Sequence, residues 1–140
     1  VGGVEVPEPV RALLAEHVTS YEELVSLLLL MEEADSAVTA RSVSERLGIG
    51  VPLVDEALTG LCQGELVHKR TAAGAAEYQY APGDPALRDA VELLAQEYRR
   101  NLTGIVRLIT ANAIERMHSQ AARMFAEAFV VRRNRNYDDS

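Results

Sequence analysis

The sequence predicts a mainly α-helical chain with one small β-hairpin and long helices at its C-terminal end. With two Phe and no Trp among 140 residues, the 48% apolar content must build its core from Leu, Val, Ala and Ile, a mix that favours helix. Apolar residues recur three and four apart over most of the chain. The interruption lies near 65–81, where Leu66, Val67, Tyr78 and Tyr80 flank a turn containing Gly74. The length suits one domain with an extension.

Pro7 and Pro9 open a first helix whose inner face is Val10, Leu13, Leu14 and Val18. Ser20 and Glu23 form a capping box: the hydroxyl accepts a free amide at the helix start and the carboxylate reaches back. A second helix therefore runs from about Tyr21 to Glu33, with Leu24, Leu27, Leu28 and Met31 as its inner stripe and Val25, Leu29 and Leu30 widening it. Thr39 caps a short third helix, with Val43 and Leu47 inward and Arg41, Glu45 and Arg46 outward. Gly48 ends that helix, Ile49 anchors the turn, and Gly50 and Pro52 begin a fourth. Val54, Leu58 and Leu61 form the buried side of this fourth helix, and Gly64 stops it. Two short strands over 65–70 and 77–81 then enclose a hairpin tip at 71–76.

Pro82-Gly83-Asp84-Pro85 is the clearest boundary in the chain. After it, Leu87, Val91, Leu94, Tyr98, Leu102, Ile105 and Ile109 keep helical spacing, and Gly104 marks a kink or a close contact. Asn112 with Glu115 reads as a new cap, which predicts a break at 110–112 and a final helix carrying Ile114, Met117, Phe125 and Phe129. One straight helix from Pro85 to Val130 would span about 70 Å, far more than a small domain can cover. The segment must fold back over Leu27 to Leu30 or pack against a second chain, and the spare apolar stripe favours a homodimer through the C-terminal helices. Arg132, Arg133 and Arg135 form a basic end suited to the negative pole of a helix.

The order helix, glycine turn, helix, hairpin is that of a winged helix-turn-helix. The stretches Ser42-Val-Ser-Glu-Arg-Leu-Gly-Ile49, Leu58-Thr-Gly-Leu61 and Gly64-Glu-Leu-Val-His-Lys-Arg70 resemble the winged-helix module of bacterial transcription regulators of the MarR-like and ArsR-like kind. The expected organisation is an N-terminal arm and short helix over 1–18, a winged-helix domain over 19–82, a helical dimerisation segment over 83–136 and a tail over 137–140. The resemblance implies double-stranded DNA as partner, with the fourth helix facing the major groove and the hairpin acting as the wing.

Charge complicates that expectation. The net charge is -7, and residues 1–60 hold eleven acids against three arginines, whereas 61–140 hold ten acids against eleven Lys and Arg. The exposed side of the fourth helix carries Asp55 and Glu56 with no cation, so only Thr59 and Gln63 there suit bases or phosphates. Arg41 and Arg46 on the third helix and His68, Lys69 and Arg70 on the wing are the electrostatic candidates. Each of these has an ordinary reading as a solvated or ion-paired surface residue. The alternative that the acidic face fits is a protein-docking module that binds no DNA.

No nucleophile motif, paired acid and base, phosphate-binding loop or metal-ligand spacing stands out, and His17, His68 and His118 sit on separate elements, so neither an enzyme nor a cofactor is expected. The lone Cys62 excludes an internal disulfide and reads as a small core residue in a cytoplasmic protein. Leu27 to Met31 is far too short to cross a membrane, and no signal peptide is visible. Val1-Gly2-Gly3 reads as a trimmed or loosely ordered end.

Overall fold

A computed structural model describes residues 6–138 of the chain. In order, the elements are α1 (Glu8–Glu16), α2 (Tyr21–Glu32), α3 (Ala40–Leu47), α4 (Val51–Gln63), β1 (Val67–Ala72), β2 (Ala75–Tyr80), α5 (Pro85–Arg100) and α6 (Leu102–Asp138). The expected fold class is the observed one: mainly helical, one hairpin, long helices at the end. Residues 1–5 of the arm lie outside the described residues, as do the side chains of Arg132, Arg133 and Arg135.

Local chemistry sets the helix starts. Ser20 Oγ accepts from Glu23 N at 3.1 Å, Thr39 Oγ1 from Ser42 N at 3.2 Å, and Asp84 Oδ1 from Leu87 N at 2.8 Å. Gly48 closes α3 in the left-handed region at φ 69°. One core joins the elements: Val10, Leu14, Leu27, Leu58, Leu94 and Ile105 are all fully buried in the same cluster. Along α2 the deepest residues are Leu24, Leu27 and Leu30, while Leu28 and Met31, expected inside, are half-buried against the core. On α5 the buried set Ala90, Val91, Leu94 includes the carboxylate-bearing Glu97, whose Oε1 accepts from Arg100 at 2.7 Å.

Of three boundaries, one falls where the sequence places it and two do not. The first is the end of α4 at Gly64, as expected. Leu66 N donates to Leu61 O and Glu65 N to Cys62 O, both at 3.1 Å, which is the Schellman pattern with Glu65 in the left-handed position at φ 63°. Gly64 itself is right-handed at φ -80°. Glycine is needed there for proximity: a Cβ would sit 3.2 Å from the His17 carbonyl, and His17 Nδ1 donates to Gly64 O at 2.8 Å.

The hairpin is the second. Both strands extend further towards the tip than expected, because the turn is only Ala73-Gly74, with φ 51° and 78°. Two consecutive left-handed residues make the tight turn that matches strand twist. Pairing runs Val67↔Tyr80, His68↔Gln79, Lys69↔Tyr78, Arg70↔Glu77. Val38 adds a bridge on the far side of β2, exchanging backbone bonds with Tyr78 at 2.7 and 2.8 Å.

The third is the break in the C-terminal helices. It falls at Asn101, whose Oδ1 accepts from Gly104 N at 3.1 Å and starts α6, and not at 110–112. Gly104 makes room for that cap, since a Cβ there would overlap the Asn101 amide. Asn112 lies inside an unbroken helix, its amide 3.5 Å from the Leu14 carbonyl. Ile105 and Ile109 are buried, yet every residue from 114 to 130 is exposed.

Gly64→Ala should destabilise the protein by about 1–3 kcal/mol, because the methyl meets a backbone carbonyl that the His17 bond holds in place. Urea denaturation checks this; an unchanged midpoint would show that the α1 end can yield.

Candidate nucleic-acid interface

α4 is held by its apolar side and offers the other to solvent. Val54, Ala57, Leu58 and Leu61 are buried, while Val51, Pro52, Leu53, Asp55, Glu56, Thr59 and Gln63 are exposed. Thr59 and Gln63 therefore stand where the sequence places them. The leading end of this face is more apolar than expected, with Val51 40% and Leu53 50% exposed. Hydrophobic side chains beside Asp55 and Glu56 suit a protein surface at least as well as a phosphate backbone.

The flanking cations are all tied by local contacts. Arg41 lies 3.9 Å from Glu45, Arg46 is paired with Glu33, and Arg70 Nε donates to Glu77 Oε1 at 3.2 Å. The Lys69 ammonium stands 5.9 Å above the Tyr78 ring. Exposed pairs of this kind contribute about 0–1 kcal/mol, so a phosphate can displace the carboxylate at small cost.

Strand pleating divides the wing cations. Lys69 shares the face of the buried Val67 and Tyr78, whereas His68 and Arg70 point to the opposite face with Gln79 and Glu77. Lys69 and Arg70, adjacent in sequence, thus cannot serve one flat surface together. Gln79 Nε2 donates to Ala34 O at 2.9 Å and ties the wing to the loop after α2.

A second cluster escaped the sequence. Glu23 Oε1 accepts from Thr19 N at 2.9 Å and from Thr19 Oγ1 at 3.3 Å, so its carboxylate reaches one residue beyond the helix cap. It packs on α4 where Gly60 leaves room, since a Cβ there would sit 2.5 Å from Glu23 Oε2. Burial pushes the Glu23 carboxyl above its ordinary 4.5, against the lowering effect of the Thr19 bonds and of Arg116. Thr19, Glu22, Glu23, Leu53 and Glu56 line an acidic hollow of about 260 Å³ beside the exposed end of α4. The Gly60 spacing was the available signal, but a glycine inside a helix has several causes.

Among the described residues, no group of three or more His, Cys, Asp or Glu is placed to hold a metal ion, and no helix is long and apolar enough to cross a membrane.

Because the folded pKa of Glu23 is raised, the native state binds this proton more tightly than the unfolded chain. Its ionisation therefore removes stability as pH rises from 4.5 through the folded value. Glu23→Gln, which keeps an acceptor for Thr19, should gain stability relative to the wild type as the pH is raised from 4.5 through the folded value. Denaturant titrations across that range test it; a difference that does not change with pH contradicts it.

No family model matches the chain, and no curated protein matches its sequence. Solved structures do match. HlyU from Vibrio cholerae aligns over 64% of this chain and 91% of its own, at 21% identity and a TM-score of 0.51. A MepR variant from S. aureus bound to an oligodeoxyribonucleotide aligns over 85% of this chain and 86% of its own, at 15% identity and a TM-score of 0.51. The homodimeric winged helix-turn-helix DNA-binding domain of a possible ArsR-family regulator from Mycobacterium bovis covers 64% of this chain and 81% of its own, at 21% identity and a TM-score of 0.48. At such identities likeness is a matter of fold. With α3 and α4 joined at Gly48, the β1–β2 hairpin following them and the HlyU and MepR structures alongside, the chain has the winged helix-turn-helix fold.

Proposed function

We propose that this protein is a cytoplasmic DNA-binding transcription regulator, not a catalyst, that works as a homodimer joined by its C-terminal helices. The observation that carries this reading is the frame around α4: an exposed helix bearing Thr59 and Gln63, bordered by Arg41 and Arg46 on α3 and by His68, Lys69 and Arg70 on the wing. Each of these four Arg and Lys cations sits in a weak local contact that a phosphate can replace. Lys69 and Arg70, on opposite faces of the hairpin, suit phosphates on the two sides of a groove that the wing enters. The fold of the DNA-bound MepR structure supports the reading without fixing any residue's role.

A second reading has its own support. Val51 and Leu53 exposed beside Asp55 and Glu56 compose an apolar and acidic face that fits a basic protein segment.

Fluorescence anisotropy with duplex DNA between about 50 and 200 mM salt tests both. The first reading expects affinity that falls steeply with salt, and a slope reduced by roughly 0.9 for each phosphate contact removed by Lys69→Ala or Arg70→Ala. Asp55→Asn with Glu56→Gln should tighten DNA binding by removing like charge. Absence of binding at low salt, with both wing variants indistinguishable from the wild type, would leave the docking reading.

A further inference from the structure

α4 carries its carboxylates on a face that nothing among the described residues covers. Residues three and four apart share an edge of a helix, so Val51 stands beside Asp55 along one edge of that face and Leu53 beside Glu56 along the other, with Pro52 and Thr59 between them. Glu22 and the hollow of about 260 Å³ adjoin the Leu53 edge. Among the described residues none of Glu22, Asp55 and Glu56 is in an ion pair. On α4 each acid has an apolar neighbour, a combination that suits the charged head and methylene stem of arginine. The same surface repels phosphate.

The chain itself holds a segment of complementary composition. Towards the end of α6, Phe125, Phe129, Arg132 and Arg135 follow one another in the sequence at steps of four, three and three, so an apolar stripe passes into a basic one, and Arg133 adds a third guanidinium. No other stretch of four residues in the sequence contains three Lys or Arg. These arginines cannot serve their own α4. The same α6 passes the acidic hollow at Arg116, close enough for its charge to act on Glu23, and Arg132 comes sixteen residues later, about 24 Å further along an unbroken helix. An α4 face that receives them belongs to another molecule.

We infer that the arginine-bearing end of α6 in one copy docks on the apolar and acidic face of α4 in a second copy, and that DNA competes with it for that face. This rests on the docking reading of α4 and names the docked segment. Bonds from guanidinium to carboxylate are charge-assisted and can be bidentate, and Val51 and Leu53 receive the arginine stems. Thr59 and Gln63 lie on the same face, so α4 has no access to a groove while the segment is docked. The acids on a groove-facing helix thereby acquire a use: Asp55 and Glu56 hold a basic segment when DNA is absent.

Disulfide trapping of the full chain in a Cys62→Ala background tests the contact. Pro52→Cys mixed with Asn134→Cys leaves every charge in place and should yield the mixed interchain disulfide on mild oxidation. Arg132→Glu with Arg133→Glu and Arg135→Glu should lower that yield at least about tenfold, and adding Asp55→Arg with Glu56→Arg should restore it. A yield no higher than that of Asn134→Cys mixed with Ala75→Cys on the hairpin, or one indifferent to the reversals, overturns the contact. Hexa-arginine that binds, and that Asp55→Asn with Glu56→Gln releases, in a protein that forms no cross-link overturns it in favour of a basic segment of another protein. The cross-linked form should lose duplex binding in anisotropy and regain it on reduction; equal binding by both forms overturns the competition. A cross-link in a protein that binds no DNA in either form supports the docked segment and removes the competition together with the DNA reading, whereas DNA binding without the cross-link removes the docked segment alone.

Discussion

The turn from Gly64 to Leu66 is the joint on which the architecture depends. Four elements meet there. α4 ends in it by the paired bonds of Leu66 and Glu65 to Leu61 and Cys62, α1 is fastened to it through His17 Nδ1 and the Gly64 carbonyl, and β1 starts from it. The approach to α5 is tied back to it as well, with Ala81 N donating to Leu66 O at 3.0 Å and Gly83 N to Glu65 O at 2.8 Å. Since the buried Leu61 and Leu66 also lie at this corner, polar satisfaction and apolar burial coincide. The wing, the α4 axis and the platform for the long helices are oriented by the same few atoms, so His17, which has no metal-binding setting, acquires a structural role: a carbonyl partner requires its Nδ1 to carry a proton.

Where sequence reading succeeded, side-chain chemistry acts over three or four residues. Ser20, Thr39 and Asp84 cap helices within that range, and Val54, Leu58 and Leu61 declare a buried face by spacing alone. It failed where the cause is remote in sequence. Gly64 is the helix stop that the sequence predicts, but the need for glycine there comes from the carbonyl of His17, 47 residues earlier. The hairpin tip was misjudged because Ala73 takes a left-handed φ that its residue type does not advertise. Of the candidate site, the exposed positions of Thr59 and Gln63 followed from helical phase, while the separation of Lys69 from Arg70 required the strand register.

α6 shows how a correct pattern can carry a wrong inference. A real discontinuity exists near residue 112, for the apolar stripe leaves one side of the helix and resumes on the other. Two physical events produce such a change: the backbone ends and restarts, or the helix continues and its neighbour changes. Asn112 and Glu115 resemble a cap and favoured the first, yet a cap needs an unpaired amide, and here the helical ladder runs through. Asn101 meets that condition, and its carbonyl oxygen takes the Gly104 amide. The phase shift therefore marks the point where the helix leaves the core of its own chain.

That distinction bears on how an acidic chain could hold DNA at all. With -7 net charge on the chain, and with the Lys and Arg of residues 19–82 confined to α3 and the wing, one winged domain engages few phosphates, and Asp55 and Glu56 oppose even those. A single domain of this kind would bind weakly under physiological salt. Coupling two such domains changes the outcome without a new contact, because the second engagement becomes intramolecular and proceeds at a high effective concentration. The gain depends on stiffness, since a loose tether disperses the second domain. In the proposed homodimer an unbroken α6 would supply that stiffness, because a continuous helix holds its two ends at a fixed separation and angle.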